Sequence, residues 1–168
     1  AARVVHWSFA VLFVYALTKQ LDFVEQLEDR ALLRFEVAFA CVFLVVLFAR
    51  FVYMRKAGAT ALPEQTPDLV KLLARACHLG MYAGLSLTAL SGIAIGALYG
   101  SGTKDGIAME IVISLHEVSI GASIFLILLH IGAAIMHRRA GDGIWSAMVP
   151  FWKEPAPSGD RASAHREA

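Results

Sequence analysis

The stretch HEVSIGASIFLILLH, from His116 to His130, carries a histidine at each end of a mostly apolar sequence. It overlaps residues 118–137, which contain no Asp, Glu, Lys or Arg, and roughly 20 apolar residues are enough for a helix to cross a bilayer. An imidazole is costly to place in hydrocarbon, so a histidine inside a membrane helix usually has a functional partner. This stretch therefore predicts a membrane-spanning helix with two histidines whose partners must be identified.

Long apolar segments elsewhere in the chain predict a transmembrane four-helix bundle, an all-α fold. Of the 168 residues, 58% are hydrophobic, more than the roughly 45–50% of soluble domains. The first span is the weakest, because its uncharged core extends only from Val4 to Thr18. Helices satisfy their own backbone hydrogen bonds, as a membrane requires. We therefore expect one bundle whose spans cover about residues 3–21, 34–54, 72–99 and 110–137.

The distribution of charge predicts the orientation and the domain limits. By the positive-inside rule, both termini and the 56–70 loop lie in the cytoplasm. We expect one domain over 1–154, which includes a short aromatic interfacial segment over 141–153, and a disordered cytoplasmic tail over 155–168. The net charge of +1 gives no indication of a nucleic-acid partner. The basic residues behind this orientation flank the second, third and fourth spans: Arg50, Arg55, Lys56, Lys71, Arg75, Arg138, Arg139 and Lys153.

The interval between His116 and His130 predicts two separate cofactor sites. An α-helix turns 100° and rises 1.5 Å per residue, so fourteen residues turn about 1400°, about 40° short of four circles, and rise about 21 Å. The two histidines therefore share one helix face at different depths, with His116 toward the outer surface and His130 toward the inner one. No single haem or metal ion can contact both, whereas two cofactors stacked across the membrane can take one histidine each.

A second ligand for the inner cofactor is available on the first span. His6 lies near the cytoplasmic start of that span, at a depth that matches His130. Two imidazoles on one haem iron favour electron transfer, because they block small-molecule chemistry at the metal. The alternative is that these histidines hydrogen-bond other helices or form part of a proton path. The cysteines do not have the CxxCH spacing of covalently attached haem.

Two further residues of the inner half are candidates for cofactor binding. His78 on the third span cannot be level with His116, and it could hydrogen-bond a haem propionate or a quinone, ligate iron, or simply pack. Arg138 follows the fourth span, where its guanidinium could meet haem propionates or the head groups of membrane lipid.

Four sequence features resemble the bacterial cytochrome b561 family, which is related to the b-type cytochrome subunits of membrane formate dehydrogenases and nickel–iron hydrogenases. The resemblance covers about residues 3–150 and implies a four-helix bundle with two b haems in a bacterial inner membrane. In the family the inner haem takes ligands from spans one and four, here His6 and His130. The outer haem takes ligands from spans two and four, of which only His116 is present. The matching features are RVVHW on span one, HLGMY and LSG on span three, the HEV…LLH…H spacing on span four, and GDGIWSAMVP after it.

The second span departs from the family pattern. No histidine occurs between His6 and His78, and Glu36 stands about where the family ligand is expected. Three arrangements remain open: the outer haem is absent, it is held by His116 alone with an open position, or Glu36 coordinates or hydrogen-bonds at that position. Glu36 could instead transfer a proton with quinol, or pair with Arg34 or lipid head groups.

The sequence favours a transmembrane b-type cytochrome that moves electrons between the quinone pool and a redox partner. No flavin, pterin or iron–sulfur motif is present, so substrate chemistry would come from another chain, and the protein would then be the membrane anchor of a larger oxidoreductase. The expected partner is a dehydrogenase subunit or a soluble cytochrome c. The alternatives are a stand-alone quinone-reducing superoxide oxidase and a haem-depleted structural or assembly subunit.

Overall fold

The protein is built from helices throughout the part of the chain that the computed structural model describes, residues 2–19, 24–56, 66–149 and 151–152. Four long helices and one short one follow in chain order: α1 (Ala2–Thr18), α2 (Arg30–Lys56), α3 (Asp68–Gly100), α4 (Ile107–Ala140) and α5 (Ile144–Met148), with a 3-10 turn (Val24–Glu28) before α2. The prediction of an all-α helical bundle is confirmed. The predicted tail over 155–168 lies outside the described residues.

Three of the helices are long and apolar enough to cross a membrane, namely α2, α3 and α4. Each extends beyond its predicted span by one to four residues at either end. The Asp29 carboxylate starts α2 by accepting a hydrogen bond from the Ala31 N–H at 2.8 Å. Gly141 ends α4 in the left-handed region at φ 67°, where its N–H bonds to the His137 carbonyl. Glycine favours that conformation because it has no Cβ.

The first predicted span corresponds to the shorter apolar helix α1. Its 17 residues give a length of about 25 Å, less than the roughly 30 Å of hydrocarbon that a bilayer presents. The span was expected to reach residue 21, but residues 20–23 lie outside the described part of the chain. The described part of α1 therefore covers most of the predicted span without its outer end.

The surface of the bundle is apolar where a soluble protein would be polar. On α2, for example, Val45 and Phe48 are 68% and 67% exposed. Large apolar side chains exposed along whole helices indicate contact with lipid. Among the described residues, the interior holds two small apolar clusters. One lies in the body of the bundle (Phe9, Phe43, Leu47, Leu85 and Ala89), and the other brings together the 3-10 turn, the end of α3 and the start of α4 (Leu27, Ile95, Tyr99 and Met109).

Helix α3 is the central packing element, since it contacts both α2 and α4. Two of its glycines explain the close approach. A Cβ at Gly84 would lie 2.6 Å from Ser123 Oγ on α4, and one at Gly96 would overlap with Val37 on α2. Small residues of this kind let helices approach closely in a membrane. By contrast, α1 packs on α2 and α5 but shares no extended packing surface with α4 among the described residues.

Candidate functional site

A polar cluster lies at one end of the bundle and takes one residue from each long helix: His6 from α1, Arg50 from α2, His78 from α3 and His130 from α4. The ring centre of His130 is 6.2 Å from that of His6 and 5.0 Å from that of His78. Successive helices run in opposite directions, so the starts of α1 and α3 lie at the same end of the bundle as the ends of α2 and α4. Residues distant in the sequence therefore reach the same depth. We call this group the polar cluster and this end of the bundle the His6 end.

Arg50 occupies the centre of the polar cluster. Its Nη2 lies 2.9 Å from His6 Nδ1, and its Nη1 donates to Tyr82 Oη at 2.9 Å. The guanidinium also packs over the rings of Phe9 and Tyr82, at 5.1 and 5.4 Å from their centres. Its Nε is buried without a hydrogen-bond partner in the described part of the chain. The cation is thus held toward the inside of the bundle by polar and aromatic contacts.

The contact with Arg50 determines where His6 carries its proton. A guanidinium has only N–H donors, so the Nδ1 of His6 must accept. A neutral imidazole with an accepting Nδ1 carries its hydrogen on Nε2. His78 has the opposite type of contact, because its ring donates a hydrogen bond to the Ala74 carbonyl one helical turn earlier. Two histidines of one cluster therefore have different hydrogen-bonding roles.

The spacing of His6 and His130 fits a shared haem iron. Two imidazoles on opposite sides of one metal have ring centres about 6 Å apart, given metal–nitrogen bonds of about 2 Å and about 1 Å from nitrogen to ring centre. The observed separation is 6.2 Å. The two histidines come from helices that do not pack extensively on each other. The donors present therefore fit a haem, provided that one ring nitrogen of His6 is released from Arg50.

His116 lies near the opposite end of the bundle, in the interface between α3 and α4. Its Nδ1 is 3.0 Å from the Thr88 carbonyl oxygen and 2.9 Å from Ser91 Oγ. A carbonyl can only accept, so Nδ1 carries the hydrogen and Nε2 keeps its lone pair. Histidines that bind a metal commonly donate their other ring N–H to a backbone carbonyl, which fixes the ring. His116 therefore has the hydrogen bonding of a metal ligand.

Glu36, the residue on α2 predicted near this second site, makes no hydrogen bond to His116. Its side chain is half-buried, and the carboxylate makes no hydrogen bond or ion pair with any described residue, including His116 and Arg34. Lys19 is close enough to act on it electrostatically. His116 and Glu36 are thus near the same end of the bundle without being hydrogen-bonded to each other.

Arg138 is engaged with the segment that follows α4. Its guanidinium lies 4.3 Å from the ring centre of Trp152 and 5.8 Å from that of Trp145, and cation–π contacts of this type are favourable. The indole of Trp7 donates to the Met148 carbonyl at 3.0 Å, which attaches α1 to the same segment. Arg138 therefore helps to hold the predicted interfacial segment at the His6 end and has no contact with the polar cluster among the described residues.

Sequence reasoning missed the roles of Arg50 and Tyr82. Arg50 was counted with the basic residues that set the orientation, but α2 continues to Lys56, so Arg50 lies about 9 Å inside the helix end. The sequence feature that could have indicated a functional role for Arg50 is the run VVLFARFVY, in which it is the single cation among apolar residues. A charge at that depth indicates a specific partner.

The family model of prokaryotic cytochrome b561 matches this chain over residues 1–151. No curated protein and no solved structure matches the chain.

Proposed function

The chain therefore belongs to the prokaryotic cytochrome b561 family of bacterial transmembrane b-type cytochromes that transfer electrons, and we propose that His6 and His130 are the axial ligands of its inner haem. The observation that supports this assignment is the separation of 6.2 Å between the two ring centres, reached from two different helices. When bound, a b haem supplies a one-electron couple. The family membership supports a haem in the protein but does not by itself assign these ligands.

The surroundings of the pair suit electron transfer. Two histidines would fill both axial positions, which favours electron transfer over reactions at the metal. The apolar cluster of Phe9, Phe43 and Leu47 lies alongside and keeps water away from the centre of the bundle.

His116 is proposed as the ligand of a second haem, nearer the opposite surface. The support is its hydrogen bond to the Thr88 carbonyl, which leaves Nε2 available to a metal. About 21 Å of helix rise separates it from His130, so the two sites would form a route across the membrane. The position opposite His116 has no histidine on α2, and that site would be open, filled by Glu36, or absent together with the second haem.

We further propose that the His6 end faces the cytoplasm and that electrons pass between the quinone pool and a redox protein, a dehydrogenase subunit or a soluble cytochrome c. The charge distribution supports the orientation. A stand-alone quinone-reducing superoxide oxidase remains an alternative. Reduction of the purified cytochrome by superoxide, without another protein, would favour that alternative over the anchor of a larger oxidoreductase.

The ligand assignment is tested by haem content. The full-length protein, His130→Ala, His116→Ala and the matched control His137→Ala would be purified, and their haem-to-protein ratios measured as pyridine haemochrome with reduced-minus-oxidised spectra. His137 is the control because it lies on the same helix, where its ring contacts Asp142 at 2.5 Å. We expect His130→Ala to lose one haem and His137→Ala to lose none. Full haem content in His130→Ala would contradict the assignment.

The same preparations test the second site. Two haems in the wild type, one of them lost in His116→Ala, would support it. One haem, unaffected by His116→Ala, would mean that the second site is empty. No haem in the wild type would contradict the electron-transfer function and favour a structural or assembly subunit.

A further inference from the structure

Arg50 is a half-buried cation for which the described part of the chain supplies no anion. The ion pairs among the described residues involve Lys71, Lys104 and His137, and none involves Arg50. Its neighbours are the neutral groups of His6, Tyr82 and Phe9. A guanidinium that is removed from water is costly unless an anion is close to it. Arg50 thus has the properties of a residue that binds an anion from outside the chain.

The contact between Arg50 and His6 cannot coexist with an iron on His6. If the iron takes Nε2, that nitrogen gives up its hydrogen, and the neutral ring then carries it on Nδ1, where it faces the N–H donor of Arg50. If the iron takes Nδ1, the acceptor for Arg50 is gone. In both cases the Nη2–Nδ1 hydrogen bond of 2.9 Å must break. The guanidinium is then free, while its Nη1 remains close to Tyr82.

We propose that Arg50 binds a carboxylate of the bound haem and gives up His6 to do so. The inference rests on the proposed ligation by His6 and His130. A haem b has two propionate carboxylates, and a planar guanidinium can bind a carboxylate with two parallel hydrogen bonds. Arg50 already offers an unpartnered Nε beside the Nη2 that His6 releases. It is a positioning residue, since it would hold the edge of the macrocycle and not the iron.

The main test compares haem with its dimethyl ester, in which both carboxylates are blocked. Full-length apoprotein in maltoside detergent would be titrated with each compound, with the Soret band as the readout. We expect the wild type to bind the ester about tenfold more weakly, as for loss of a charge-assisted hydrogen bond. Arg50→Gln should bind haem and ester with equal, weaker affinity. This comparison on the wild type needs no substitution, so it stands even if a variant folds poorly.

Arg55→Gln is the matched control, because it removes the same charge from the same helix. Arg55 packs on Phe51, outside the polar cluster, and its variant should keep the wild-type preference for haem over the ester. Arg50→Lys retains the charge without the two-pronged geometry and should keep part of the preference. An equal preference for haem in Arg50→Gln and wild type would overturn the proposal.

The midpoint potential of the haem gives a second readout. If Arg50 were only a packing residue, its replacement would not be expected to shift this potential in one particular direction. A cation beside the haem favours the reduced state, so Arg50→Gln should lower the equilibrium constant for reduction about tenfold, or about 59 mV for one electron. Arg55→Gln should leave it near the wild-type value. An unchanged potential in Arg50→Gln would overturn the proposal.

A lipid phosphate is the other anion that could reach Arg50, and the medium distinguishes the two. The difference between Arg50→Gln and wild type should be the same in maltoside and in nanodiscs of phosphatidylglycerol. A difference that appears only with the lipid, together with no effect of esterification, would assign the anion to lipid and overturn the proposal. Wild-type protein without haem would contradict the proposed function itself, whereas a bis-histidine haem with no effect of Arg50 would contradict this inference alone.

Discussion

Nη2 of Arg50 lies 2.9 Å from Nδ1 of His6, and this hydrogen bond cannot persist once His6 binds a metal. The pair therefore connects the state of the cofactor to the position of a half-buried cation. Because the guanidinium can only donate, the contact selects the tautomer of His6 in the protein without haem. Loading of the site must break this contact, at the cost of one hydrogen bond.

The tautomer of His6 in the haem-free protein is directly measurable. We expect ¹⁵N NMR of histidine-labelled apoprotein to show His6 with its hydrogen on Nε2, because Nδ1 accepts from Arg50. In Arg50→Gln this preference should weaken, since an uncharged amide does not force Nδ1 to accept. A hydrogen on Nδ1 of His6 in the wild-type apoprotein would contradict the arrangement.

Replacement of the two neighbours of His130 should have different effects on haem binding. We expect His6→Ala to lose the inner haem or to convert it to a high-spin form, because one axial bond is removed. His78→Ala should keep a low-spin haem, since the proposed ligands of the iron are His6 and His130. Haem content and the ferric spin state by EPR provide the measurement. Loss of the haem in His78→Ala, with retention in His6→Ala, would instead assign His78 as the ligand.

The packing role of Gly96 can be tested against that of Gly121. Gly96→Ala should lower the free energy of unfolding by about 1–3 kcal/mol, as overpacking does, because its Cβ would overlap with Val37, whose branched side chain has few rotamers in a helix. Gly121 has open space around its Cβ position, so Gly121→Ala should be neutral or stabilise by up to about 1 kcal/mol. Thermal unfolding in detergent measures both. Equal effects of the two substitutions would contradict this packing.

The link between the 3-10 turn and the loop after α3 should weaken at alkaline pH. Glu28 raises the pKa of Lys104, first through their hydrogen bond of 3.1 Å and then through its charge. A pKa that is higher in the folded state stabilises the fold fully below the unfolded value, about 10.4, and this contribution is lost as the pH rises through the folded pKa. The pair is exposed, so the effect is small.

Lys104→Met gives the measurement for that prediction. The melting temperatures of wild type and variant should differ below about pH 10 and converge above it. A difference that stays constant up to strongly alkaline pH would show that the Lys104 charge is not responsible. The pH range of the measurement must stop below the pH at which the whole protein unfolds.

The depth of several residues could be predicted from the sequence, because helical geometry converts spacing into distance. The fourteen-residue interval from His116 to His130 determined that they lie on one face and at two levels. His6 and His78 were placed in the inner half by counting from the ends of their spans. The all-α fold was equally predictable, since uncharged segments as long as 76–103 have few other stable structures.

The sequence by itself thus determined the helices, their apolar surfaces and the levels of the histidines, since these follow from local composition and the period of the α-helix. Only the tertiary structure decided which side chains meet at each level. It placed Arg50 between His6 and Tyr82, brought His78 against His130, and gave His116 a hydrogen bond to the Thr88 carbonyl. The physical reason is that lateral contacts depend on how each helix is rotated about its axis. That rotation is set by the close packing of α3 on α2 and α4, at residues such as Gly96 and Gly84.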